Sequence, residues 1–148
     1  MKVRRYNRGE EKALWSLLYE TVHRMNCKDY SQAQIEARAP PQKVLYQWKH
    51  RLKRTNPFVA EESGELIGFA ELDENGYMDC FYCAQNWQRK GVGSTLLRAI
   101  EIEASKQGIP RLYAEASITA KGFFEKKGFA VEGERIVSLR GEQFATYT

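Results

Sequence analysis

Hydrophobic and polar positions change their period twice along this chain. The stretch over residues 3–6 reads as a short first strand, and Asn7 with Glu10 three positions later is a helix N-cap signature. Leu14, Leu17, Leu18, Thr21, Val22 and Met25 then recur at helical spacing. Ser31 and Gln34 repeat the capping logic for a brief helix that must end near Pro40. Pro41 suits the first turn of a third helix, whose apolar side is Leu45, Trp48 and Leu52.

From residue 58 the period drops to two. Strands are predicted over 58–62, 65–72 and 77–83, joined at Ser63-Gly64 and Asn75-Gly76, and such short turns imply an antiparallel meander. A helical stripe of Val92, Leu96, Ala99, Ile100 and Ala104 follows, closed by Gly108 in the manner of a glycine C-cap. A strand over 111–115 comes next, then a short helix over about 119–127 ended by Gly128. Two last strands, over 129–139 and 143–148, meet at Arg140-Gly141. The order implies an α/β fold with a mixed sheet, one domain spanning 1–148 and no internal repeat.

Composition narrows the class without naming it. With 43% hydrophobic residues the chain is ordinary for a globular domain, and no apolar run is long enough for a bilayer. The opening "MKVRRYNRGEE" lacks a signal-peptide core, so a cytoplasmic location is expected, with no membrane partner. A net charge of +4 is a mild excess that could steer acidic ligands but does not argue for nucleic acid. Lys43, Lys49, Arg51, Lys53 and Arg54 form the densest basic cluster and read as a solvated helix face. The cysteines are Cys27, Cys80 and Cys83; strand alternation points Cys80 and Cys83 to opposite faces, which disfavours a metal or redox pair and suits a reducing compartment.

The chemistry concentrates where the third meander strand gives way to the long helix. There "QRKGVG", Gln88 to Gly93, places two poor helix formers at a helix start. A helix N-terminus offers unpaired N–H groups and partial positive charge, which suit phosphate, and Arg89 and Lys90 add charge. A P-loop would need a lysine before Ser94 or Thr95, and a dinucleotide fold would need a third glycine where Leu96 stands.

The stretch resembles the Q/R-x-x-G-x-G/A signature of the GNAT superfamily of N-acetyltransferases, which holds the pyrophosphate of acetyl-CoA. Downstream, "SITAKGFFEKKGF", Ser117 to Phe129, is similar to that family's second CoA motif, and the element order is similar to the family's plan. The resemblance implies a mostly antiparallel twisted sheet flanked by helices, with strands splayed at the acetyl-CoA site. It implies that the amides of Gln88, Arg89, Lys90, Gly91, Val92, Gly93 and Ser94 take the pyrophosphate. Backbone groups of Phe81 and Cys83 would hold the pantetheine arm and polarise the thioester carbonyl. Ser117 stands at the usual asparagine and Phe124 at the tyrosine that serves many members as general acid. The implied activity is acetyl transfer from acetyl-CoA to a primary amine, by direct attack in a ternary complex and without a metal. A CoA-binding module without catalysis is the alternative that Phe124 raises, and a homodimer is compatible with the family.

Phenylalanine has no proton to give, so other groups are candidates for proton transfer. Alternation places Tyr77, Asp79, Phe81 and Cys83 on one strand face, which makes Asp79 the first candidate base, directly or through water. An ion-paired strand carboxylate is the other reading. Tyr113 is a candidate acid beside the cleft, whereas Tyr82 points into the core. His23, in the polar join "TVHRMNCKDY" with Asn26, Asp29 and Tyr30, titrates near neutrality and could deprotonate an amine, or simply cap a helix. Cys83 could accept an acetyl group, but nothing near it in sequence lowers its pKa, so an inert cysteine is the simpler reading. Trp15 and Trp48 read as core.

Overall fold

The computed structural model describes residues 1–20, 42–84, 87, 90–115, 118–133 and 135–139. The expected helix before Pro40 and the strand over 143–148 lie outside the described residues. The elements run β1 (Lys2–Arg5), α1 (Glu11–Glu20), α2 (Gln42–Thr55), β2 (Phe58–Glu62), β3 (Glu65–Leu72), β4 (Met78–Cys83), α3 (Val92–Gln107), β5 (Arg111–Glu115), α4 (Ile118–Lys126), β6 (Ala130–Glu132) and β7 (Arg135–Leu139).

Local signals explain most of these boundaries. The Glu10 carboxylate accepts the Asn7 N–H at 2.7 Å, half of a capping box at the start of α1. Ser63 and Gly64 both have positive φ, 52° and 84°, as a tight hairpin between right-twisted strands requires. At the end of α3, Gly108 adopts φ 70°, and Ile109 N–H donates to Ala104 O at 2.9 Å.

Two sheets result, an antiparallel β1-β2-β3-β4 and an antiparallel β5-β7-β6. They meet through one parallel bridge, Tyr77 with Tyr113. The run over 129–139, expected as one strand, is two: Gly133 turns with φ 65°, and β6 folds back on β7 with Val131 opposite Ile136. An apolar pattern cannot distinguish one strand from two when the turn between them is short.

Helix α3 covers one face of the larger sheet, packing Val92, Leu96 and Ile100 with Ile67, Met78 and Phe81. Helices α1 and α2 cover the other face with Leu14, Trp15, Trp48 and Leu52 against Val59, Phe69 and Tyr82. Trp15 and Trp48 meet edge to face at 5.3 Å, and the Trp48 indole N–H donates to Glu11 O at 2.9 Å. Both are core, and Tyr82 stacks on Phe69 at 5.6 Å as a core tyrosine. Burying side chains of this size contributes about 1.5–3 kcal/mol each.

Strand β4 carries a bulge that redirects the chemistry. Phe69 faces Tyr82 and Glu71 faces Asp79, so Cys80 and Phe81 together oppose Ala70. Cys80 takes φ 49°. The extra residue reverses the alternation: Phe81 and Cys83 pack on the α3 side, Cys80 and Tyr82 on the α1/α2 side. The expectation that Asp79, Phe81 and Cys83 share a face is therefore corrected. Asp79 bonds to α2, on the opposite side from Phe81.

Candidate active site

The glycine turn enters α3 at Gly91. Gly91 is left-handed, φ 87° and ψ 3°, a conformation that strains any side-chain-bearing residue. No side chain caps the helix. Thr95 N–H is the first to bond within it, to Gly91 O at 3.0 Å. The N–H groups of Val92, Gly93 and Ser94 thus have no acceptor among the described residues. A Cβ on Gly91 would meet nothing within 4 Å, so the space beside this backbone is open.

Gly93 also makes room for a neighbouring ring. A Cβ there would stand 3.2 Å from Phe123 Cζ, so the bare α-carbon admits an aromatic ring of α4. Phe123 is half-buried and faces Phe81 at 6.4 Å. Phe124, expected to border the cofactor, is instead a core residue, 1% exposed, in edge contact with Phe81, Phe123 and Phe129 at 5.4, 4.9 and 5.2 Å. A tyrosine hydroxyl at that position would be buried among rings.

Below the turn, β4 and β5 part. Tyr113 N–H donates to Gly76 O at 3.0 Å, and a Cβ on Gly76 would overlap the Arg111 carbonyl oxygen, so only glycine allows this approach. Tyr77 and Tyr113 stack obliquely at 5.2 Å beside that junction. Burial, reinforced by the Asp79 carboxylate, pushes the Tyr77 hydroxyl up to about 12. Past the bridge no ladder joins β4 to β5 among the described residues, leaving a cleft open toward the glycine turn.

A buried charge cluster lies on the other side of β4. Arg51 Nη2 is 2.7 Å from Glu71 Oε1, 2.6 Å from Asp79 Oδ2 and 3.3 Å from Cys80 Sγ. Thr55 Oγ1 donates to Glu71 Oε2 at 2.7 Å, and Cys80 N–H donates to Asp79 Oδ1 at 2.9 Å. Burial drives the Glu71 carboxyl up against the pull of Arg51. Glu71, Asp79 and Cys80 converge on one point, and the Arg51 guanidinium bonds to all three. Arg51 was expected on a solvated face; Lys43, Lys49, Lys53 and Arg54 are exposed, but Arg51 is buried.

A cavity of about 760 Å³ opens beside this cluster, lined by Arg51, Glu71, Tyr77 and Asp79 and, on α3, by Glu103 and Gln107. The helical rise puts the last turn of α3 about 20 Å from Gly91, so the cavity lies well away from the glycine turn.

Comparison with known proteins places the chain. A family model described as an acetyltransferase (GNAT) domain matches residues 26–144. An Escherichia coli protein, the uncharacterized N-acetyltransferase YafP, is 30% identical over 147 residues, covering 99% of this chain and 93% of that one. The chain belongs to the GNAT family of N-acetyltransferases. Among solved GNAT structures, a GCN5-related N-acetyltransferase from Rhodopseudomonas palustris superposes with a TM-score of 0.77 at 23% identity, covering 93% of this chain and 94% of that one. The PaiA N-acetyltransferase from Thermoplasma acidophilum, solved in complex with coenzyme A, gives 0.66 at 24% identity, covering 92% and 95%. Among the described residues, no helix is long and apolar enough to cross a membrane.

The GNAT fold brings only part of the expected set together. Gly91, Val92, Gly93 and Ser94 form the helix entrance, with Phe81 and Cys83 on the cleft side of β4 and Tyr113 at its narrow end. Lys90 is exposed, its ammonium 5.5 Å over the Trp87 ring. His23, Gln88, Arg89 and Ser117 lie outside the described residues. Cys83 is free, and burial pushes its thiol up to about 11, which suits the inert reading. Cys80 is disulfide-bonded, and since Cys83 is free its partner lies outside the described residues. The sequence reading missed Arg51, Glu71, Tyr77 and Phe123. Arg51 carried a signal: it follows Trp48 by three positions and adjoins Leu52, a charge on the apolar stripe of α2.

Proposed function

We propose that this chain transfers an acetyl group from acetyl-CoA to a primary amine by direct attack, with residues 1–148 acting as one domain. The observation that carries the reading is the entrance to α3, a left-handed Gly91 with open space beside it and three following N–H donors that have no acceptor among the described residues. Phosphate oxygens suit those donors and the helix dipole. The coenzyme A held by the related PaiA structure supports the same choice of co-substrate.

Acetyl-CoA would supply a thioester-activated acetyl group; the new C–N bond replaces the C–S bond, the ammonium gives up two protons, and the departing thiolate takes one. The chain's residues divide that work. Amides of Val92, Gly93 and Ser94 bind the pyrophosphate, and Phe123 closes the side of the turn that Gly93 leaves bare. Backbone groups of Phe81 and Cys83 line the arm. Asp79, whose carboxylate lines the cavity and is held in place by Arg51, is the base. Tyr113, half-exposed where the strands part, is the proton donor.

Isothermal titration with CoA and a thiol-release assay on an amine panel test the reading together. Stoichiometric CoA binding with acetyl-CoA- and amine-dependent thiol release is expected. Binding without release on any amine would favour a non-catalytic CoA-binding module, and absence of binding would end the proposal.

A further inference from the structure

One side of α2 carries charge of a single sign. From Ala37 to Ala60 the chain has no aspartate or glutamate, although it holds 19 in all. Within α2, Lys43, Lys49, Lys53 and Arg54 are exposed, on the side of the helix away from the buried Trp48, Arg51 and Leu52. None of these four cations forms an ion pair among the described residues. Solvated lysines are ordinary on a helix, but the rings set among them are not. Tyr46 is 65% exposed, more than any other large apolar side chain among the described residues. The His50 ring lies one turn on, 4.4 Å away and tilted by 59°, so it steadies the tyrosine without covering it. Along the helix axis Lys43 to Lys49 is a rise of about 9 Å and Lys49 to Lys53 about 6 Å, with Tyr46 in the first gap and His50 in the second.

Anionic partners of three kinds meet such a side differently. A membrane surface calls for apolar residues to insert, and Trp48 and Leu52 of α2 are spent in the core. An acidic peptide answers the lysines and leaves the rings unused. A nucleic acid answers both, with phosphates on the cations and bases on the rings. Its bases must be free of their own stack, as they are in the loops and ends of RNA. We propose that this side of α2 docks single-stranded RNA, with a base stacked on Tyr46 and phosphates at Lys43, Lys49 and Lys53. The docking stands apart from the acetyl-transfer reading, since neither Tyr46 nor any of the three lysines lines the cavity beside Asp79.

Fluorescence anisotropy with a short labelled oligoadenylate, at physiological salt, tests the proposal. The full chain should bind the single strand about tenfold more tightly than the same oligomer paired with oligouridylate, whose bases are covered; charge alone would favour the duplex. Tyr46→Ala should weaken single-strand binding about tenfold and leave its salt dependence unchanged. Lys49→Gln with Lys53→Gln should make the slope of log K against log salt shallower by about 1.4. Both variants should match the parent in thermal denaturation, since the altered side chains are exposed. Duplex binding as tight as that of the single strand, an unmoved affinity in Tyr46→Ala, or tighter binding of polyglutamate or of phosphatidylglycerol vesicles overturns the proposal.

Discussion

Arg51 Nη2 lies 2.6 Å from Asp79 Oδ2, and this contact ties α2 to the bulged strand at the centre of the fold. The guanidinium also holds Glu71, so Arg51 joins two buried carboxylates of neighbouring strands. Such a group is costly to remove because its partners stay behind without it.

Arg51→Met should destabilise the chain by about 3–5 kcal/mol, the range for breaking a buried pair from one side. Urea denaturation at neutral pH measures the loss. At acid pH the gap between variant and parent should narrow, since protonated carboxyls no longer need a cation. A loss near zero at neutral pH would mean that water reaches the cluster.

The Tyr77 hydroxyl should titrate late, near 12. Its folded pKa is raised above the ordinary 10.0, so the unfolded chain releases this proton first. The stabilisation is whole below pH 10 and is lost as pH rises from about 10 toward 12. Ultraviolet titration of phenolate absorbance should show that late step, and Tyr77→Phe should abolish it.

Gly91→Ala should fold, at a cost of about 1–2 kcal/mol for a left-handed alanine, and should weaken CoA binding at least tenfold. Gly91→Asp should remove CoA binding by adding like charge at the phosphate site. Unchanged CoA affinity in both variants would place the cofactor elsewhere.

Phe124→Tyr should not restore a general acid. It puts a hydroxyl among Phe81, Phe123 and Phe129, with a cost of about 1–3 kcal/mol for an unpaired buried polar group. Thermal denaturation and steady-state rates check this; a rate gain at unchanged stability would show that the ring reaches the cleft.

Cys83→Ser should keep most of the activity, because a thiol held near 11 carries little thiolate at neutral pH. Initial-rate plots should intersect, as a ternary complex requires. Parallel lines together with a dead Cys83→Ser enzyme would revive a covalent acetyl route.

Much of the architecture could be read in advance because its signals are local. The Asn7–Glu10 cap, the Ser63-Gly64 hairpin, the stripe of α3 and the Gly108 stop each depend on neighbours within a few positions. The QRKGVG turn belongs with them, since the left-handed Gly91 and the unpaired amides after it are properties of a helix start. The errors have the opposite character. The single residue inserted at Cys80 turns Asp79 away from Phe81, and a period-two pattern contains no mark of it. Phe124 and Arg51 were misplaced for the same reason, since one faces three rings and the other two carboxylates from distant segments.

By itself the amino-acid order determined α1, α3, the meander strands and the glycine entrance to α3, because backbone preference and capping act over a single turn. Tertiary structure decided which faces meet: that Gly93 admits Phe123, that Gly76 lets β5 approach, and that Arg51 is buried between Glu71 and Asp79. Those outcomes depend on packing and charge balance between segments far apart in the chain, where local propensity has no influence.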